Sequence, residues 1–230
     1  MKINGFQKLT LLDFPGHTAC TVFTGGCNLR CPFCHNALLV TEEDELEEYP
    51  EEEILAFLKK RQGILDGVAI TGGEPLMQRD IRAFIEKVRA LGYAVKLDTN
   101  GTFPKQLREL TDAGLLDYVA VDIKNSREKY AETTGMRELN LSGIEETVRL
   151  LLQGRVPYEF RTTVVREFHT PEDIQKIGEW IRGAERYVLQ HFEDSGNLIG
   201  KNMHPVSKEE MMEMQRIVQN YVGSAEVRGI

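Results

Sequence analysis

Thr18-Ala-Cys-Thr-Val-Phe-Thr24 runs without a break into Gly25-Gly-Cys-Asn-Leu-Arg-Cys-Pro-Phe-Cys-His-Asn36. The first seven residues are β-branched or apolar and are bounded by Gly16 and by Gly25-Gly26, which predicts a core strand. The second stretch is then a loop at the C-terminal end of that strand, and it carries Cys27, Cys31 and Cys34 as C-x3-C-x2-C. Three thiolates so spaced suit three irons of a cubane [4Fe–4S] cluster, leaving the fourth iron open to a small molecule. The same residues could instead form part of a zinc site, with His35 or a distant group as fourth ligand, or serve as redox thiols. Zinc sites more often show paired C-x2-C knuckles, and no second knuckle exists. Cys20, the fourth and last cysteine, sits in the apolar run and reads as a small buried hydrophobe. So few cysteines exclude a disulfide framework and a second cysteine-ligated cluster.

Downstream of the loop, residues 42–53 hold nine acids among twelve positions. They read as a solvated loop entering a helix N-terminus, where acids suit the dipole, or as a docking patch for a partner. A regular alternation follows. Helices are predicted near 51–63, 79–92, 104–113, 142–153, 171–183 and 208–221, and strands at 68–71, 94–98, 118–123, 158–165 and 186–192. Thr170-Pro-Glu-Asp173 and Ser207-Lys-Glu-Glu210 mark two helix starts by their capping residues. Met211, Met212 and Met214 then read as packing residues of the last helix. With the strand at 18–24, six strands alternating with helices imply parallel pairing and right-handed crossovers. The expected fold is a single α/β domain over residues 1–230, a partial (β/α)6 barrel of parallel strands. Residues 1–16 form an N-terminal extension, a short strand or hairpin. A flat doubly wound sheet is the alternative that periodicity leaves open.

At 230 residues, 41% hydrophobic and 28% charged, the chain has the balance of a soluble globular protein. A formal charge of −8 argues against nucleic acid or an anionic membrane surface as partner. No stretch approaches the roughly 20 apolar residues of a membrane span. The opening Met1-Lys-Ile-Asn-Gly-Phe-Gln-Lys8 lacks the features of a signal peptide, so the cytoplasm is the expected compartment.

Parallel strands covered by helices should be almost entirely apolar, and several here are not. Lys96, Asp98 and Asn100 share one parity against Val95 and Leu97. Ala120, Asp122 and Lys124 oppose Val119, Val121 and Ile123. Glu159, Arg161 and Thr163 oppose Phe160, Thr162 and Val164. Side chains alternate across a strand, so helices cover one set and the polar set points into the barrel. Burying those charges is costly unless they pair or hold a ligand. Most fall near the C-terminal strand ends, where sites in barrels are built. The cysteine loop opens at that rim, as does Thr71-Gly-Gly-Glu-Pro75, whose glycines admit a close backbone approach and whose Glu74 can accept from an ammonium group. His191 ends the last of the six strands at the same rim. The Gly-Gly turn is not a phosphate loop, because no Gly-Lys-Ser/Thr follows.

Cys27-x3-Cys31-x-Phe33-Cys34, Gly72-Gly73-Glu74-Pro75 and the six strand–helix units together resemble the radical S-adenosylmethionine superfamily. Cys31-Pro-Phe-Cys-His-Asn36, Asp98-Thr-Asn-Gly101 and Asp122-Ile-Lys124 are similar to motifs of its glycyl-radical-enzyme activases. Gly5 to Gly16 and Val227-Arg-Gly229 are most similar to activating proteins of anaerobic ribonucleoside-triphosphate reductase. The resemblance implies that Cys27, Cys31 and Cys34 ligate a [4Fe–4S] cluster whose fourth iron is chelated by S-adenosylmethionine. Phe33 would then lie beside the adenine, and Gly72, Gly73 and Glu74 would hold the methionine amino end. Arg161 would face the carboxylate, Asn100 and His191 the polar atoms of the methionine or ribose, and Lys124 the cofactor or an incoming peptide. Asp98, Thr99 and Asp122 match positions that hold a monovalent cation in some activases. Reductive cleavage would yield a 5′-deoxyadenosyl radical that takes hydrogen from a glycine of the partner enzyme. The ferredoxin-like insert of many activases is missing, which implies a separate low-potential electron donor. Two other classes remain at this point: a radical enzyme acting on a small molecule, and a non-catalytic metal-binding or electron-transfer domain. The inward charges weigh against the last, since a carrier has no use for them.

Overall fold

The computed structural model describes residues 1–230. Eight strands form one sheet in strictly sequential order: β1 (Ile3–Thr10), β2 (Ala19–Thr24), β3 (Gly67–Gly72), β4 (Ala94–Thr99), β5 (Tyr118–Asp122), β6 (Tyr158–Val164), β7 (Arg186–His191) and β8 (Ser224–Arg228). β1 pairs antiparallel with β2, and every later neighbour is parallel. A doubly wound sheet would reverse its strand order at a switch point, so this order removes that alternative. The sheet curls instead: residues of the β1–β2 loop and of β8, its two ends, line one common cavity.

Helices α1 (Ala37–Thr41), α2 (Glu51–Arg61), α3 (Ile81–Ala90), α4 (Pro104–Asp112), α5 (Tyr130–Thr133), α6 (Ser142–Leu151), α7 (Pro171–Trp180) and α8 (Lys208–Val218) connect the strands. Their apolar faces and the outward apolar residues of the strands form one large core, exemplified by Val95, Leu97, Val119, Val121 and Phe160 against Phe84, Leu107, Ile144 and Ile177. Cys20 is fully buried in it. Both predicted caps are capping boxes. Asp173 N donates to Thr170 Oγ1 at 3.3 Å while Thr170 N donates to Asp173 Oδ2 at 2.9 Å, and Ser207 with Glu210 repeats the exchange. Met211 and Met214 are buried and Met212 is exposed, as core packing on one helix face requires.

Two features differ from the sequence reading. The sheet has eight strands rather than six, because the N-terminal extension contributes the long β1 and the C-terminus adds β8 parallel to β7. β8, Ser-Ala-Glu-Val-Arg, has no apolar run because it is an edge strand whose charged residues have partners. Glu226 accepts from Arg186 at 2.8 Å and Arg228 donates to Glu159. The long helices also stop a few residues short of where periodicity placed their ends.

Candidate functional site

The cysteine loop is held by backbone bonds from several directions. Gly26 N donates to Leu39 O at 2.8 Å, Glu74 N to Gly26 O at 2.8 Å, Arg30 N to Thr134 O at 3.0 Å and Gly200 N to Pro32 O at 2.7 Å. Beneath it Leu29, Cys31, Phe33, Val165 and Phe192 form a small apolar cluster of their own. The Gly72-Gly73 turn lies directly against the loop. A Cβ on Gly73 would come within 1.9 Å of Gly26 O, and Gly72 has φ +117° with Thr24 N 2.4 Å from its would-be Cβ. Only glycine allows this approach. Asn36 Nδ2 closes the junction by donating to Gly72 O at 2.9 Å.

The three cysteines line one side of a cavity of 180 Å³, with Gly72, Asn100, Asp122, Lys124 and Arg161 among the residues facing them. An adjoining polar cavity of 460 Å³ shares His35, Thr163 and Gln190 with it, and together they offer the space of a small-molecule site. Burial pushes the Cys31 thiol up to about 12, against the pull of Lys124, and raises Cys27 and Cys34 as well. Thiols so disfavoured as anions are poor free nucleophiles, and a metal cluster would supply the missing positive charge. Leu29 N and Asn100 Nδ2 donate to Cys27 Sγ at 3.4 and 3.8 Å, the kind of contact that orients and tunes a ligating sulfur. No three His, Cys, Asp or Glu side chains gather closely enough to hold a single metal ion. All three thiols line the one cavity, and a set of cysteine thiolates is the usual ligand set of an iron–sulfur cluster.

Opposite the cysteines lies a charged ladder from β4, β5 and β6. Arg161 Nη1 donates to Asp98 Oδ2 at 3.1 Å and its Nε to Asp122 Oδ1 at 3.0 Å. Lys124 Nζ donates to Asp122 Oδ2 at 3.0 Å, and Lys96 pairs with Asp98. Burial alone would raise both carboxyls, yet Arg161 and the two lysines hold them below the ordinary carboxylate range. Thr99 lines the cavity, but its hydroxyl donates to Glu74 Oε1 at 2.8 Å, away from both aspartates. All three residues expected for a cation line this cavity, and the two acids have protein cations as partners.

Three further residues sit differently from expectation or were missed. Glu74 is fully buried and accepts from Leu76 N, Thr99 Oγ1 and Asn100 N at 3.0, 2.8 and 2.7 Å. It brackets the Gly-Gly turn to the end of β4 and is absent from the cavity wall. With burial outweighing these three bonds, its pKa rises to about 7. His191 points the other way from the cavity that holds the cysteines. Its Nε2 meets Val206 O at 2.9 Å, and it reaches only the adjoining polar cavity. Gln190, which shares parity with Arg186, faces the cysteines instead, and carrying the parity argument into β7 would have found it. Asn100, by contrast, is where alternation puts it, fixed by bonds to Asn28 and Thr102. Phe33 is buried at the cavity edge, its ring 5.7 Å from Phe168.

Residues 21–181 match the family model of the radical SAM superfamily. A Methanocaldococcus jannaschii protein provisionally named a glycyl-radical enzyme activating enzyme is 32% identical over 239 aligned positions, covering 99% of this chain and 96% of that one. GTP 3′,8-cyclase of Alkaliphilus oremlandii is 33% identical over 153, covering 64% of this chain and 47% of its own length. The fold is similar to that of Streptococcus suis SuiB bound to S-adenosylmethionine, at a TM-score of 0.68 and 15% identity, over 89% of this chain and 48% of that one.

Proposed function

The chain belongs to the radical S-adenosylmethionine superfamily, and from that premise we propose that it activates a glycyl radical enzyme by removing a hydrogen atom from a glycine of that partner. As a member it is an enzyme that uses a [4Fe–4S] cluster and S-adenosylmethionine. The bound pair supplies one-electron cleavage of the sulfonium and a hydrogen-abstracting 5′-deoxyadenosyl group. Cys27, Cys31 and Cys34 would hold the cluster. The Gly72-Gly73 backbone, kept open by Asn36 and by the Glu74 bracket, would receive the amino end of the cofactor. Arg161 and Lys124, already oriented by Asp98 and Asp122, would meet its carboxylate as fixed cations. Asn100 and Gln190 would bond its polar atoms, Phe33 would flank the adenine, and His35 and His191 would border the outer part of the site. A monovalent cation at Asp98 and Asp122 would have to displace Arg161 from one of them. No side chain is needed as general acid or base. Electrons come from a separate low-potential donor.

The observation that carries this reading is the match over nearly the full length of both this chain and the provisional activase. The preferred partner is anaerobic ribonucleoside-triphosphate reductase, supported by the terminal motifs of the sequence. Similarity to GTP 3′,8-cyclases supports a second reading, a radical enzyme acting on a small molecule. Anaerobic reconstitution followed by reduction with S-adenosylmethionine should yield 5′-deoxyadenosine and methionine, and Cys31→Ala should yield none. Adding the reductase should then produce a glycyl-radical signal in electron paramagnetic resonance. Consumption of GTP with no such signal would replace the first reading by the second.

A further inference from the structure

β5 ends at Asp122, and the carbonyls of Asp122, Ile123 and Lys124 are each held by a buried donor from a different element. Tyr130 Oη, from α5, donates to Asp122 O at 3.3 Å. Thr162 Oγ1, from β6, donates to Ile123 O at 2.6 Å and itself accepts from Tyr187 Oη of β7 at 2.6 Å. His169, in the turn before α7, meets Lys124 O through Nε2 at 2.8 Å. All four side chains are at most 3% exposed. A chain leaving a strand is ordinarily free to adjust, whereas three successive carbonyls so held fix the backbone that carries Asp122 and Lys124.

His169 differs from the other donors because its ring also touches the cysteine side of the site. Lys124 O can only accept, so the neutral ring carries its proton on Nε2 and leaves Nδ1 to accept from Val165 N at 3.1 Å. Burial lowers the pKa of His169 and keeps the ring in that neutral form. Val165 belongs to the apolar cluster beneath the cysteine loop, and the ring stands edge-on to Phe33, centroids 6.3 Å apart at 75°. The adjoining residues are fastened too, since Asn125 Nδ2 donates to Phe168 O at 2.9 Å and to Thr133 Oγ1 at 2.8 Å. One imidazole thus sets Lys124, on the charged ladder, against Phe33, on the cysteine loop. Both of these line the cysteine cavity and His169 does not, so any effect it has on a ligand passes through them.

We propose that His169 is a positioning residue for the cofactor: by holding Lys124 O, it fixes the Lys124 ammonium where the carboxylate of S-adenosylmethionine is received. This rests on the reading of Lys124 as a cation for that carboxylate. The test measures S-adenosylmethionine binding to the cluster-loaded chain by calorimetry, together with the change the cofactor makes in the electron paramagnetic resonance of the reduced cluster. Asparagine carries its oxygen where imidazole has Nδ1 and can keep the Val165 bond, but it is too short to reach Lys124 O. Glutamine is long enough to bring an N–H there. His169→Asn should therefore weaken binding about tenfold and alter the cofactor-induced signal at saturation. His169→Gln should stay within about twofold of wild type, and adding His169→Asn to Lys124→Met should cost less than about twofold more. Wild-type binding by His169→Asn, with Lys124→Met weakened, overturns the positioning role and leaves the reading of Lys124 standing. A penalty of about tenfold that persists in the Lys124→Met background does the same. Loss of folding in His169→Asn, seen in the denaturant midpoint of the apo chain while His169→Gln folds, makes the ring a folding element only and also overturns the role. Wild-type binding by Lys124→Met overturns both.

Discussion

Glu74 and Glu159 are both buried glutamates of one barrel, 0% and 1% exposed, yet they behave in opposite ways. Glu74, at the upper end near the cysteines, is surrounded by neutral donors only, and burial lifts its pKa to about 7. Glu159, in the lower half, would also be lifted by burial, but the Arg228 fork beside it holds it below the ordinary carboxylate range. The same inward geometry thus yields two environments. Below, Arg228 pairs with Glu159 and Arg186 with Glu226. Above, backbone bonds and a matched ladder hold the Gly-Gly turn, thiols and cations in place around a cavity.

The contrast can be broken most sharply by pH. Between 4.5 and about 7 the unfolded chain has released the Glu74 proton while the folded chain retains it, so stability falls as pH rises through that window. The loss is on the order of 3 kcal/mol. Denaturant midpoints of the apo chain should show this slope in wild type and lose it in Glu74→Gln. Glu159 has the opposite sign, since its depressed pKa contributes stability that is present above 4.5 and is lost as the solution is acidified. A slope in Glu74→Gln equal to that of wild type would mean that burial does not lift Glu74.

A smaller effect is expected from Glu159→Gln at neutral pH. It leaves Arg228 and Arg186 without their buried carboxylate, at a cost of about 2 kcal/mol once the partial exposure of both arginines is allowed for. Partner-independent cleavage of S-adenosylmethionine should survive, because the variant lies outside the upper cavity. The mildest test separates two neighbours on β7. Gln190→Ala should raise the KM for S-adenosylmethionine about tenfold, a loss of about 1.4 kcal/mol. His191→Ala, whose ring is turned toward Val206 O, should change it less than twofold. The reverse order would return His191 to the centre of the site.

The inward polar sets on β4, β5 and β6 were legible because a strand in a covered parallel sheet has a period of two and little tolerance for charge. Reading Lys96, Asp98, Glu159 and Arg161 as one face needed no coordinates. β7 was misread at its end because the chemistry of His191 drew more weight than its parity. β8 left no trace in the pattern, since an edge strand matched by Arg186 and Glu159 has no need of apolar residues. Glu74 was assigned to a ligand because a glutamate in a Gly-Gly turn at a rim can accept from one. Only the fold shows its oxygens already taken by Leu76, Thr99 and Asn100.

By itself the sequence determined the alternation of strands and helices, the three cysteines on the loop after the first core strand, and the charges turned inward, because these follow from local spacing. The tertiary structure alone decided which of the inward groups face a ligand and which face one another. Ion pairs such as Arg161 with Asp98 and Asp122, and Arg228 with Glu159, join residues 39 to 69 positions apart. Whether a buried charge is available or spent depends on partners that only the curled sheet brings into hydrogen-bonding distance.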